Sequence, residues 1–309
     1  MPSSIALLHD LVAAAGLPEV ASYRAVTGHG FNNEILHATL VDSRQVVLRR
    51  LQDVSRPLPL GRARFLAHHD VPAPALLGGD ESASLYEYVP GKMLSALVAE
   101  GRMTDDAWRS VGTAFRRVHA VRFPAGLTGD FGPDNLILNP ADPVHDLHAM
   151  LVSAEPCLKA NLPFVLPHLP HLHAVIDDQA GQLRATRTAL AHGDVNPTNV
   201  IIGSSRTTLI DWDEPRVSDP ARELAELDER MYLINGSGVP AAFFETYGPC
   251  PPNLAIHRLT SPIRWFGHGP FAGWEIDPDL DATQKAQVTG WRNSLVGCLA
   301  GLGERLKEF

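Results

Sequence analysis

Apolar and polar positions alternate in short blocks through the first ninety residues and fall into longer, helically spaced blocks after them. Residues 4–15 carry apolar side chains at helical spacing and stop at Gly16–Pro18, which predicts one N-terminal helix. Tyr23–Thr27 and Glu34–Leu40 read as strands on either side of the turn-rich GHGFNN, and Gln45–Leu51 as a third strand after the turn at Asp42–Ser43. A helix is predicted over Gly61–His69, then extended chain through VPAPALL, where prolines disfavour helix. Leu85–Val89 is the last strand of this region, stopped by Pro90–Gly91. Beyond it the texture changes. Thr104–Val121 has helical spacing and a Thr–Asp start suited to an N-cap. Further helical patterns recur near 145–160, 174–190, 220–234 and 281–307, and Tyr247–Asn253, with its three prolines, reads as a loop. The outline is α+β with two lobes, residues 1–89 strand-rich and 90–309 mainly helical, joined by a connector at Tyr88–Lys92.

Composition narrows the class. With 309 residues, 45% hydrophobic and 20% charged, the chain has the make-up of a globular protein with a sizeable core. The net charge of -9 repels a nucleic-acid backbone, while a small phosphate-bearing ligand remains compatible if a local basic group or a metal holds it. Cys157, Cys250 and Cys298 are odd in number and far apart, so no disulfide framework is expected. The first residues lack a basic segment of the secretory type, and no apolar run approaches the roughly 20 residues that span a bilayer. A cytoplasmic protein that avoids membranes is the expectation.

The chemistry concentrates in LAHGDVNPTNVIIGSSRTTLIDWDEP, residues 190–215. Val200–Ile202 and Thr207–Ile210 are β-type runs joined by a Gly–Ser turn, which predicts a hairpin. Asn199 precedes the first run and Asp211 follows the second. Side chains facing each other across such a ribbon lie roughly 5 Å apart. An amide oxygen and a carboxylate there can share one cation, and Mg²⁺ favours such oxygen donors together with substrate phosphate. Asp194, in a loop stiffened by Pro197, is free to accept a proton from a substrate hydroxyl.

This block resembles the aminoglycoside phosphotransferase and choline kinase-like family, relatives of protein kinases. His192-Gly193-Asp194 with Asn199 is similar to its catalytic loop, and Ile210-Asp211-Trp212 to its metal-binding turn. The resemblance implies a bilobal protein-kinase-like fold with ATP or GTP between a β-rich N-lobe and a helical C-lobe. It implies γ-phosphate transfer to a hydroxyl of a small substrate, with Asp194 as base and Asn199 and Asp211 holding Mg²⁺. Weaker similarities extend along the chain. GHGFNNE stands where the family covers phosphates, placing Gly28 and Gly30 at the nucleotide. VVLRR stands at the third strand, LYEYVPG at the hinge, where the backbone of Glu87–Val89 would meet the nucleobase, and SDPARELAEL after the metal turn. His192 reads either as a prop of the loop or as a buried, satisfied core histidine, and Asp219 as the cap of the helix from Pro220.

The sequence departs from the family pattern at three places. The third strand offers Arg49 or Arg50 where a lysine is usual; alternation lets one of them face the cleft, and the motif selects Arg49 to touch phosphate. No acid is evident for it: the following helix carries Arg62 and Arg64, leaving Glu34 or Asp53. Gly28 and Gly30 do not complete a GxGxxG. A catalytically silent, kinase-like nucleotide- or ligand-binding protein is therefore the alternative function, and a metal hydrolase built on His192 and Asp194 a third. Trp265, Phe266, Phe271, Trp274 and Trp291, with acids in RELAELDER, would suit a cationic alcohol such as choline, an amino sugar or thiamine, although aromatics at helical spacing usually form core and RELAELDER reads as a solvated helix face. HLPHLH, residues 168–173, reads as a surface loop rather than a zinc site.

Overall fold

The computed structural model describes residues 3–26, 33–51, 60–80, 82–132 and 135–309. Gly28, Gly30 and Asp53 lie outside them. The chain opens with α1 (Ser4–Ala14), capped by the Ser3 hydroxyl, which accepts from Ala6 N. Strands β1 (Val20–Ala25), β2 (Asn33–Leu40) and β3 (Gln45–Leu51), helix α2 (Leu60–His68), and strands β4 (Leu76–Gly79) and β5 (Ala83–Glu87) follow. The five strands form one antiparallel sheet in the order β1-β2-β3-β5-β4. The period-2 pattern predicts what is seen: Leu36, Ala38 and Leu40 of β2 and Val46 and Leu48 of β3 are buried on one face, against Leu7, Leu8, Leu11 and Val12 of α1. Arg50 shares that parity and reaches the Ser4 hydroxyl at 2.9 Å, so Arg49 projects from the opposite face.

A connector leads into β6 (Lys92–Met93), α3 (Leu94–Ala99) and α4 (Asp105–His119). Thr104 caps α4, accepting from Ala107 N at 3.2 Å, as the sequence predicts. The region predicted as mainly helical then contains a second five-stranded antiparallel sheet. It is built from β7 (Arg122–Ala125), β8 (Leu127–Phe131) and β9 (Leu136–Pro140), and, after helices α5 (Pro143–Asn161), α6 (Leu169–Asp178) and α7 (Ala180–Ala185), from β10 (Arg187–Ala191) and a strand that follows the hairpin. The helix expected over 174–190 is thus two short helices and a strand. HLPHLH is not a loop but the junction of a 3₁₀ turn (Pro163–His168) with α6.

The predicted hairpin is β11 (Val200–Ile202) with β12 (Thr207–Leu209), and β6 pairs with its outer side. The strand β13 (Arg216–Ser218) completes the second sheet between β10 and β8. Helices α8 (Pro220–Asn235), α9 (Ala241–Tyr247), α10 (Leu254–Arg264), α11 (Ala282–Ala300) and α12 (Leu302–Leu306) end the chain. Asp219 caps α8, accepting from Ala221 N at 2.8 Å.

Two further apolar clusters hold the C-terminal part. One gathers α3, α4, α8, α9 and the hairpin around Phe115, Leu190 and Phe243; Leu66 of α2 and Val71 belong to it too. Close crossing of α4 and α9 there requires glycine, since a Cβ on Gly112 would collide with the Phe243 carbonyl. The other joins α5, α6, α10 and α11 around Leu151, Phe266 and Phe271. Among the described residues no helix is long and apolar enough to cross a membrane.

Candidate active site

The loop between β10 and β11 is held from three sides. His192 is fully buried, with its ring 4.4 Å from that of Trp212. Its Nε2 bonds the Ile210 carbonyl at 2.8 Å and its Nδ1 accepts from Asp194 N at 3.3 Å, so both ring nitrogens are used inside the loop. The two readings of His192 are therefore one. Gly193 has φ +88, and a Cβ there would fall on the Glu214 carbonyl, so this position requires glycine. Its N–H donates to Glu223 Oε1 at 3.0 Å, while Arg216 donates to its carbonyl. Glu223 Oε2 in turn bonds His119 Nε2 at 2.8 Å, and His119 Nδ1 bonds the Tyr247 hydroxyl at 2.9 Å. This buried relay ties α4, α8 and α9 to the loop. Every polar group along it has a partner, as burial demands.

Asn199 ends a 3₁₀ turn (Pro197–Asn199) that the Asn196 side chain caps. Its Nδ2 donates to the Asp194 carboxylate at 3.0 Å and to the Asp194 carbonyl at 3.2 Å. With the NH₂ so committed, Oδ1 is the atom available to a cation. The hairpin register differs from the expectation that Asn199 faces Asp211. Val200 pairs with Leu209, and Ile210 N donates to the Asn199 carbonyl at 2.8 Å, so Asn199 stands opposite Ile210 and Asp211 lies one step beyond. Strand alternation alone would turn those two side chains apart. Asp211 instead adopts a left-handed backbone, φ +64, which ends the strand at the cleft. Partial burial, then the nearby carboxylates of Asp213 and Asp194, push its pKa above the usual carboxylate range, against the pull of Arg49. A half-exposed carboxylate crowded by like charges suits a hard divalent cation, and the Asn199 amide oxygen is a second candidate donor on the same hairpin.

Arg49 crosses from the first sheet to this turn. It bonds Asp213 through both terminal nitrogens, one at 2.6 Å, and meets Asp211 at 2.8 Å. Burial works to lower its pKa, but these carboxylates outweigh it and the net shift is upward. Arg62 of α2 donates to the Asp213 carbonyl at 2.9 Å. Among the described residues, the acids that answer the third-strand cation are Asp213 and Asp211. Glu34 lies 3.8 Å from Arg50 and accepts from Ser4. A cavity of about 220 Å³ opens beside the turn, lined by Asp130, Phe131, Asp213, Glu214, Pro215 and Arg216.

At the connector, Glu87 N–H donates to the Ala75 carbonyl at 2.9 Å and Tyr88 N–H to the Gln45 carbonyl at 3.2 Å. The Glu87 carboxylate accepts from Arg206 of the hairpin turn at 2.5 Å.

RELAELDER is not a solvated helix face. Glu223, Glu226 and Glu229, three residues apart, are buried on one side of α8. Arg264 and Arg222 pair with Glu226. Burial alone would raise its pKa, but Arg264, Arg222 and Arg216 hold it down at about 2. Glu229 accepts from the Ser261 hydroxyl at 2.7 Å and Trp265 Nε1 at 2.8 Å, and burial pushes its pKa up. The spacing of the three glutamates with Leu224 and Leu227 is a readable sign of an inward face; their arginine partners, on other elements, are not readable from it. Phe266 and Phe271 are core, and the faces of Trp265 and Trp291 carry Arg230.

No curated protein sequence matches the chain at a significant level. Among solved structures, a choline/ethanolamine kinase family protein from Mesorhizobium loti is similar at TM-score 0.64 and 17% identity, over 99% of this chain and 98% of that one. The aminoglycoside phosphotransferase APH(4)-Ia is similar at TM-score 0.64 and 16% identity, over 98% and 99%. A thermostable mutant of that enzyme, solved as a ternary complex with AMP-PNP and hygromycin B, matches at TM-score 0.61 and 15% identity, over 95% and 96%. The fold is thus the bilobal, kinase-like α+β fold of these proteins. Residues 26–257 match the model of the phosphotransferase enzyme family (APH), and with three-quarters of its length inside that match the chain belongs to the phosphotransferase enzyme family.

Proposed function

We propose that the protein is a small-molecule kinase that transfers the γ-phosphate of ATP or GTP to a substrate hydroxyl. The observation that carries this reading is the meeting of the Asp194 carboxylate, the Asn199 amide and the Asp211 turn on one loop-and-hairpin unit, with Arg49 arriving from the first sheet. Asp194 accepts the hydroxyl proton as the acceptor oxygen forms its bond to the γ-phosphorus. The bond from that phosphorus to the β–γ bridging oxygen breaks, and the nucleoside diphosphate leaves with the electron pair. Asn199 Oδ1 and Asp211 would hold Mg²⁺, which when bound neutralises phosphate charge. Arg49, held by Asp213 and Asp211, is the cation proposed to touch phosphate. The Glu87 and Tyr88 amides are already bonded, so within the connector the Val89 N–H is the group proposed to meet the nucleobase. Gly28 and Gly30 remain proposed phosphate contacts. A solved relative that binds AMP-PNP and hygromycin B together supports a nucleotide and a small acceptor sharing one cleft.

A catalytically silent nucleotide binder has one observation in its favour: Arg49 is engaged by two carboxylates. Calorimetry of ATP binding separates roles within the site. Nucleotide affinity should drop at least tenfold when EDTA is added or when Asp211 is replaced by alanine. Equal affinity with and without Mg²⁺ would remove Asp211 and Asn199 from their assigned task.

A further inference from the structure

The charge around the catalytic loop points to a property of the acceptor. Helix α8 anchors Gly193 through Glu223 and presents Arg230 seven residues later, on the same helix face. Two helical turns separate them by roughly 10 Å along the axis. The Arg230 guanidinium carbon lies 4.0 Å from the centroid of the Trp291 ring and 5.0 Å from that of Trp265, a cation–π contact with both. Its two acidic neighbours are already engaged. Glu226 pairs with Arg264 and Arg222, and Glu229 accepts from Ser261 and Trp265. Among the described residues no carboxylate lies within ion-pair distance of Arg230. Beside it, Trp291 Nε1–H is buried with no hydrogen-bond partner among the described residues. Burial pulls the Arg230 pKa down, and the carboxylates of Glu229, Asp194 and Glu226 oppose that pull. Four arginines, Arg216, Arg222, Arg230 and Arg264, thus surround two glutamates next to the catalytic loop.

We infer that the acceptor is an anionic alcohol, whose carboxylate or phosphate monoester docks on Arg230 while its hydroxyl meets Asp194. A guanidinium held against two indoles, with no carboxylate in ion-pair distance among the described residues, suits a two-oxygen anion. The same contact occupies one side of each indole and sets a positive charge against a cationic acceptor there. This inference rests on the kinase reading for the role of Asp194, but not for the anion contact itself.

Matched acceptors that differ only in charge provide the test: gluconate, glucitol and glucamine, and glycerol 3-phosphate, glycerol and 3-amino-1,2-propanediol. With ATP and Mg²⁺, transfer to an anionic member should exceed that to its ammonium counterpart at least tenfold in kcat/KM. The carboxylate and phosphate arms show which anion is preferred. Arg230→Met should abolish the preference through KM, and Arg230→Lys should keep part of it. Equal or better transfer to neutral or ammonium members by the wild type overturns the inference and leaves the kinase reading intact. Titration of gluconate and glycerol 3-phosphate against indole fluorescence without nucleotide reads the anion contact alone. Quenching that depends on Arg230, without transfer to any acceptor, supports the anion site and removes the kinase reading. Neither quenching nor transfer overturns the inference.

Discussion

At the scale of single residues, the site divides into what one stretch of chain contains and what distant stretches bring to it. The closeness of Asp194 and Asn199 is legible because both lie within one loop; the place of Asp211 is not, because the hairpin register sets it one step beyond Asn199. Asp213 is not legible as the partner of Arg49, although it stands two residues from Asp211, because 164 positions separate it from that arginine. The choice between Arg49 and Arg50 needs only strand parity. Asp213→Ala should destabilise the protein by about 2 kcal/mol, since two part-buried arginines lose an acid that both contact. Chemical denaturation checks this, and nucleotide affinity should fall in parallel as Arg49 loses its anchor. Asp213→Ala with unchanged stability would show the pairing to be incidental.

Among elements, α8 does the most positioning. Its first turns supply the acceptor for Gly193 N–H, and its buried glutamates collect arginines from β13, α8 and α10. Gly193→Ala should cost at least about 3 kcal/mol or prevent folding, because a left-handed backbone and the Glu214 carbonyl both oppose a Cβ. Glu223→Gln is the milder probe. It keeps one carbonyl oxygen for Gly193 N–H but weakens the bond to His119, so turnover should drop about tenfold with acceptor KM little changed. A fall confined to KM would place Glu223 at the substrate instead. The second sheet is invisible to the sequence for a plain reason. Its strands run three to five residues, too short to display alternation, and β9 is exposed along most of its length, so no apolar face announces it. The longer strands of the first sheet, packed on α1 by one face, show theirs clearly.

For the molecule as a whole, acidic net charge coexists with a local basic cluster around Glu226. Its carboxyl is ionised down to about pH 2 in the folded chain, against an ordinary value of 4.5. A lowered folded pKa means stability that is complete above pH 4.5 and lost as the pH falls toward 2. Wild type should therefore exceed Glu226→Gln in stability by roughly 3 kcal/mol near neutrality, and the gap should close across that acid window. Unfolding midpoints of both proteins through the window provide the check; a constant gap would mean that Glu226 contributes by packing rather than charge. A change of texture near residue 90 separates strand-rich from mainly helical sequence. What that change does not reveal is that α2, from the strand-rich part, packs Leu66 into the C-terminal core, a contact that only tertiary structure specifies.

Phosphate transfer is the chemistry proposed for the loop around Asp194, and γ-labelled ATP reads it. Wild-type protein with Mg²⁺ and a panel of hydroxyl-bearing acceptors should move label to one of them, and Asp194→Ala should do so at least about 100-fold more slowly while binding ATP as before. Label that stays on the nucleotide with every acceptor would remove the kinase activity, and label that moves as fast in the alanine variant would remove Asp194 as its base.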